Sequence, residues 1–141
     1  MKLLEIEKLS HRFKDGTEAV RGITFSVKKG EFLVISGKNG SGKSVLMHHL
    51  NGLLKPTSGR VLFKGKPVHE DILSVRQKIG LVFQNSDSQI VSQTVERDTA
   101  FGPENLNLDK QEVENRVASV LKNVGLEDKR KHYTRLSLIH I

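Results

Sequence analysis

The 141-residue sequence predicts an α/β fold that opens with an antiparallel β segment. Three observations carry this expectation. Period-two alternation fills the N-terminal segment, a glycine-rich loop follows an unbroken apolar run, and an apolar stripe of helical period lies toward the end.

In the first segment Leu4 and Ile6 alternate with Glu5 and Glu7, while Ile23, Phe25 and Val27 alternate with Thr24, Ser26 and Lys28. One polar face per strand is the pattern of a half-buried antiparallel strand. Asp15-Gly16 and Lys29-Gly30 supply turn signals between segments. Phe32-Leu33-Val34-Ile35-Ser36 is apolar almost throughout, which predicts a strand buried on both faces of a parallel sheet. Residues 44–50 read as a helix, and Val61, Leu62 and Phe63 as a short strand between Gly59 and Gly65. Ile79 to Phe83 predicts a second fully apolar strand, ending at Gln84. Farther on, Val113, Val117, Val120, Leu121 and Val124 fall at helical spacing, with Glu112, Glu114, Arg116 and Lys122 on the polar side. Asp109 is placed to cap this helix and Gly125 to stop it. Core packing is the expected role of the whole stripe.

Composition narrows the function classes. The length suits one domain with a real core. Net charge is +7, but the basic residues are scattered, with one dense cluster at Lys129, Arg130, Lys131 and Arg135. Without base-stacking aromatics among them, a solvated surface is the expected reading, and no nucleic-acid partner is predicted. The absence of cysteine rules out disulfides and thiolate metal sites. Glu5, Glu7 and Lys8 interrupt any signal-peptide stretch, and no apolar run reaches the roughly 18 residues of a membrane span. The six histidines are scattered. His48 and His49 are adjacent and so point to different sides of a helix, and His11, His69, His132 and His140 are isolated. All six are expected on the surface, with no metal.

Gly37-Lys38-Asn39-Gly40-Ser41-Gly42-Lys43-Ser44 matches G-x-x-x-x-G-K-[ST] at every fixed position. Glycines let the backbone curl so that amides from Asn39 through Ser44 converge on an anion, and a helix beginning near Lys43 adds its positive end. Lys43 is placed to reach the β- and γ-phosphates, and the Ser44 hydroxyl to ligate magnesium. A buried strand before the loop and an apolar helix after it supply the context the motif needs. A nucleoside triphosphate and Mg2+ are therefore the expected ligands of a P-loop NTPase.

A phosphate loop alone does not separate a kinase, a GTPase and a transporter ATPase. The residues around it resemble the nucleotide-binding domain of ABC transporters. Leu53-Leu54-Lys55-Pro56-Thr57-Ser58-Gly59 is similar to that family's L-x-P-x-S-G segment, and Gly80-Leu81-Val82-Phe83-Gln84 to its Q-loop. Asp87, Gln89, Thr94-Val95-Glu96, Asp98 and Ala100-Phe101-Gly102-Pro103-Glu104-Asn105 resemble the energy-coupling-factor or cobalt-uptake branch. The likeness runs from about Leu4 to Ser137. It implies that the nucleotide is ATP, that Phe13 stacks on adenine, and that Gln84 touches magnesium and the attacking water and relays nucleotide state to a membrane subunit. Gly37 through Val45 would form the nucleotide-binding stretch. The implied partners are membrane-spanning transporter subunits and a second ATP-binding subunit, at the cytoplasmic face of the cell membrane.

The sequence departs from that pattern in places. Val45 stands where the family has threonine, which removes a hydroxyl contact to the α-phosphate; Ser86 and Ser88 replace proline and aspartate. Leu136-Ser137 begins the leucine-serine-glycine-glycine-glutamine signature, but Leu138-Ile139-His140-Ile141 follows. The expectation is a partial ABC-type domain over residues 1–137, truncated before the Walker B carboxylate, with a foreign tail over residues 138–141. Glu96 and Asp98 are expected to be solvated charges, which leaves no second carboxylate for hydrolysis. The alternatives are a small P-loop kinase, which calls for an arginine-rich lid, a nucleotide-holding module without turnover, and a basic nucleic-acid binder resting on charge alone.

Overall fold

The computed structural model describes residues 2–134, which places the signature-like Leu136-Ser137 and residues 138–141 outside the described part. The chain forms two compact units, Met1–Leu81 and Val82–Ile141.

The first unit is built on an antiparallel sheet of order β2-β1-β3-β4, comprising β1 (Lys2–Arg12), β2 (Glu18–Lys28), β3 (Ser58–Phe63) and β4 (Lys66–Pro67). The expected alternation is realised in its first half, where Leu4 faces Val27 and Ile6 faces Phe25 across the ladder. Beyond Ile6 the register shifts against both neighbouring strands. Lys8 takes a left-handed backbone (φ 47°) there, and its amide donates to Thr24 Oγ1 at 2.9 Å. A bulge of one residue inverts the faces. Leu9 and His11 consequently turn inward, where unbroken alternation from Ile6 would have buried Lys8 and Ser10. Gly59 makes room for the bulge. It has φ +75°, and a Cβ there would collide with the carbonyl oxygens of Glu7 and Lys8.

Two helices lie in the same unit, α1 (Lys43–Leu50) and α2 (Ile72–Arg76), the second capped by Asp71, which accepts from the Ser74 amide at 3.1 Å. Leu46 of α1 and Val75 of α2 join Ile6, Leu9, Val20, Val61, Phe63 and Val68 in one buried core. Full burial of each such aliphatic side chain is worth about 1.5–3 kcal/mol.

Both predicted parallel strands are absent as strands. Residues 31–38 and 79–83 belong to no strand of the sheet among the described residues. Phe32 is 92% exposed, Val34 70% and Val82 86%, and only Ile35 and Ile79 pack against the core. An apolar run becomes a buried strand only when neighbouring strands satisfy its backbone and cover its faces.

The second unit pairs α3 (Val95–Glu104) with α4 (Lys110–Asn123) around Ala100, Val117 and Leu121, flanked by Val95 and Val113. The predicted caps of α4 are in place. Asp109 accepts from the Glu112 amide at 2.9 Å, and Gly125 has φ 68° just past the end. The stripe is narrower than expected, because Val120 and Val124 are exposed. Val113, Val117 and Leu121 form one i, i+4 line against α3, while the other two valines lie on its flank. Glu96 and Asp98 are structural ties rather than solvated charges. Asp98 Oδ1 accepts from the amides of Val91 and Ser92 at 2.9 and 3.0 Å, and Glu96 pairs with Arg130 at 2.7 Å. Residues 130–134 fold back along 92–96 through backbone and hydroxyl bonds, including Thr134 Oγ1 to Ser92 O at 2.7 Å.

The histidines also depart from expectation. His49 is 0% exposed and His11 is buried, while His48 and His69 are half-buried. Only His132 is exposed among the described five, and His140 lies outside. His49 Nδ1 bonds Leu54 O at 2.9 Å, which requires the proton on Nδ1. Burial, with a smaller push from His11, His69 and His48, lowers the His49 pKa to about 4, against the stabilising bond to Leu54.

Two outcomes follow for solution behaviour. The isolated chain is expected to bind a hydrophobic dye and to elute as larger species, through the exposed runs at Phe32–Val34 and Val82–Phe83. A dye-silent monomer with one sharp thermal transition would show that these runs are covered. Stability is also expected to rise with pH between about 4 and 6.5, by on the order of 3 kcal/mol, because the unfolded chain takes up the His49 proton first. Above that window the contribution is fully present, and below it is fully lost. Urea midpoints measured across it should show a shallower slope for His49→Asn, which cannot titrate, than for the parent.

Candidate nucleotide site

The loop predicted to bind phosphate lies at the start of α1, as the motif requires. Gly40 and Gly42 have φ 79° and 87°, a conformation that costs an L-residue about 1–2 kcal/mol. For Gly40 that is the whole demand, since nothing lies within 4 Å of the point a Cβ would occupy. Gly42 carries a second one. A Cβ there would strike the carbonyl oxygen of Ala19, so the loop sits directly on the start of β2. At Gly37 a Cβ would come within 2.8 Å of Ser41 Oγ.

Gly42 is the N-cap of α1 and offers no side chain to its first turn, so the amides there remain available to an anion. Lys43 is half-buried, and its Nζ donates to the carbonyls of Gly37 and Lys38, both at 2.7 Å, with Ser41 Oγ at 3.5 Å. The ammonium is thereby held across the mouth of the loop by the loop's own backbone. Lys38, Asn39 and Ser41 are exposed around it, and the Ser41 amide is turned inward to Lys38 O at 3.2 Å. The Ser41 amide is thus withdrawn from the set expected to meet an incoming anion. Ser44 is exposed on the first turn of α1. Val45 is half-buried and packs against the core, which accounts physically for an apolar residue at that position.

These residues fit a magnesium triphosphate by donor chemistry. The loop offers amides and one ammonium for phosphate oxygens, and the Ser44 hydroxyl suits a hard cation that keeps mostly phosphate and water ligands. Among the described residues no group of three or more His, Cys, Asp or Glu could hold a metal by itself.

Phe13 follows β1 directly and is 40% exposed. Its amide donates to Thr17 O at 2.8 Å and its carbonyl accepts from Gly16 at 3.0 Å, which fixes the turn into β2. Phe13 and the phosphate loop thus belong to the same unit. Gln84 falls in the second unit, exposed in a bend rather than at a strand end, and leads into a 3-10 turn over Ser86–Gln89. Asn85 caps that turn, and Gln89 Oε1 accepts from the Phe83 amide at 3.1 Å. Two neighbours of the candidate residues were invisible in the sequence, the Ala19 carbonyl under Gly42 and the buried His11 beside Phe13. Neither belongs to a motif, and the bulge that turns His11 inward has no signature in residue type.

A glycine loop of this geometry, on a unit with an antiparallel sheet, defines a P-loop nucleotide-binding protein. The ABC transporter family model matches residues 20–138, and the chain belongs to that family. It is 52% identical over 130 residues to the energy-coupling factor transporter ATP-binding protein EcfA of Methanocaldococcus jannaschii, covering 90% of this chain and 47% of that protein. It is 47% identical over 131 residues to EcfA1 of Methanospirillum hungatei, covering 92% and 47%. The solved structure of CbiO1 from Clostridium perfringens, described as part of the ABC transporter complex CbiONQ, matches with a TM-score of 0.85 at 40% identity. That match covers 96% of this chain and 55% of CbiO1. The fold is that of an ABC nucleotide-binding domain with its antiparallel sheet. The chain spans about half the length of the curated relatives it matches.

The loop geometry makes a graded prediction. Gly40→Ala should cost about 1–2 kcal/mol, from backbone conformation alone. Gly42→Ala should cost clearly more, because the Ala19 clash adds to the same strain. Equal losses in denaturant titration of the two variants would show that the contact with β2 is not held in solution.

Proposed function

We propose that this chain is the phosphate-binding part of the ATP-binding subunit of an ABC importer of energy-coupling-factor type, taking up a metal ion or a vitamin. One observation carries the proposal: Lys43 is fixed on the carbonyls of Gly37 and Lys38 at the uncapped start of α1. Lys43 and the loop over Gly37 through Val45, apart from the Ser41 amide that is bonded to Lys38 O, hold the triphosphate, Ser44 orients magnesium, and Phe13 receives the base. When bound, magnesium neutralises charge between the terminal phosphates. Gln84 is assigned to the magnesium and the attacking water, as the Q-loop residue. In the whole protein, residues 1–137 form the first part of the ATP-binding domain, and a second ATP-binding subunit completes the site. The names of EcfA and of the CbiONQ complex support membrane-spanning partners and a peripheral place at the cytoplasmic face of the membrane.

Binding and turnover separate in this reading. Hydrolysis requires a second carboxylate on magnesium and a positioned water, and Glu96 and Asp98 are already engaged elsewhere. Equilibrium titration with a fluorescent ATP analogue and Mg2+ should show Lys43→Ala weakening affinity about tenfold or more, the scale of a charge-assisted bond. Phosphate release by the chain should not exceed that of the same variant. Equal affinity of parent and Lys43→Ala would remove the assignment.

A further inference from the structure

His11 and His49 are the two histidines that burial singles out, and they touch each other. Their ring centroids lie 4.8 Å apart at an interplanar angle of 58°. His11 in turn meets Phe13 nearly at right angles, 78°, with centroids 4.6 Å apart, an arrangement that aromatic quadrupoles favour. A continuous stack therefore runs from α1 through His49 and His11 to the half-exposed ring of Phe13. Each end is anchored. His49 is tied through Nδ1 to Leu54 O at 2.9 Å, and the backbone of Phe13 is bonded through both its amide and its carbonyl. Backbone bonds fix where the Phe13 ring begins, but not its rotation about χ1 and χ2. Its described ring partner is His11.

We propose that His11, seated on His49, is a positioning residue that fixes the Phe13 ring as the base-stacking platform of the nucleotide site. The role rests on Phe13 being that platform, as proposed above. It has a mechanical consequence. The same helix carries Lys43 at its first turn and His49 six residues on, a rise of about 9 Å. One rigid element thus sets both the phosphate cradle and, through two imidazoles, the base platform, so the two ends of the nucleotide are registered to each other.

The chemistry of the pair argues for shape rather than polarity. His11 Nδ1 and His49 Nε2 are buried without a hydrogen-bond partner among the described residues. Nδ1 of His11 therefore does nothing that a ring carbon could not do, and a phenyl ring should serve in its place. The depressed pKa of His49 agrees with this, since it keeps a neutral ring in the stack at neutral pH.

The test compares two ligands in the full 141-residue chain, Mg-ATP and inorganic tripolyphosphate with Mg2+, the second lacking any base. His11→Leu fills the space but offers no flat ring. It should weaken ATP about three- to tenfold, part of what a base-stacking ring contributes, and leave tripolyphosphate unchanged. His11→Phe should return ATP affinity to within about twofold of the parent. Unchanged ATP affinity in His11→Leu would overturn the proposal. So would a parallel loss of both ligands, the mark of a merely structural role, or a failure of His11→Phe to rescue. The platform itself is read separately, from Phe13→Ala. If that variant binds ATP like the parent while Lys43→Ala does not, the assignment of Phe13 has failed rather than the stack behind it.

Discussion

Gly42 rests against the carbonyl of Ala19, and much of the first unit is arranged by that contact. A backbone-to-backbone approach this close tolerates no side chain, and it fixes the start of α1 on the start of β2. From there the helix direction delivers Leu46 into the core and His49 onto His11. The phosphate loop is thus a rigid corner between sheet and helix rather than a flexible glycine tract. Lys43 closes the corner by bonding its own loop, so its ammonium is pre-positioned by the protein itself.

A second constraint acts through the sheet. The bulge at Lys8, accommodated by Gly59, reverses which face of β1 is buried. Without it, His11 would point to solvent and Phe13 would have no ring behind it. The same inversion seats His11 against His49, which α1 already holds in an apolar interior, where its neutral form prevails and desolvation outweighs the bond to Leu54.

The second unit shows how acidic residues in a polar stretch become structural. Asp98 satisfies two backbone amides that would otherwise lack partners, and Glu96 meets Arg130 from the returning segment. Arg130 and Lys129 of the basic cluster are both ion-paired, the latter with Asp128 at 3.5 Å. Charge counts in a sequence carry no record of the Arg130 pairing with Glu96, which depends on how residues 130–134 fold back along 92–96.

Much was legible from residue types alone. The phosphate loop, the hairpin of β1 and β2, α1, β3, and α4 with its caps all follow from local rules, because turn glycines, alternation and capping act within a few residues. α3 was not legible, since Gly102 and Pro103 weaken its helical pattern, and α2 is too short to show one. The apolar runs at Phe32–Ser36 and Ile79–Phe83 were read correctly as apolar but not as strands, because pairing is a property of two segments and not of one. Sequence by itself determined the groups the candidate site offers: glycines that permit the curl, a lysine ammonium and a serine hydroxyl. Only the tertiary structure decided that Ala19 lies under Gly42 and that His11 stands between His49 and Phe13. Both rest on contacts that neither motif nor periodicity marks, and local composition does not encode which backbone comes close enough to touch.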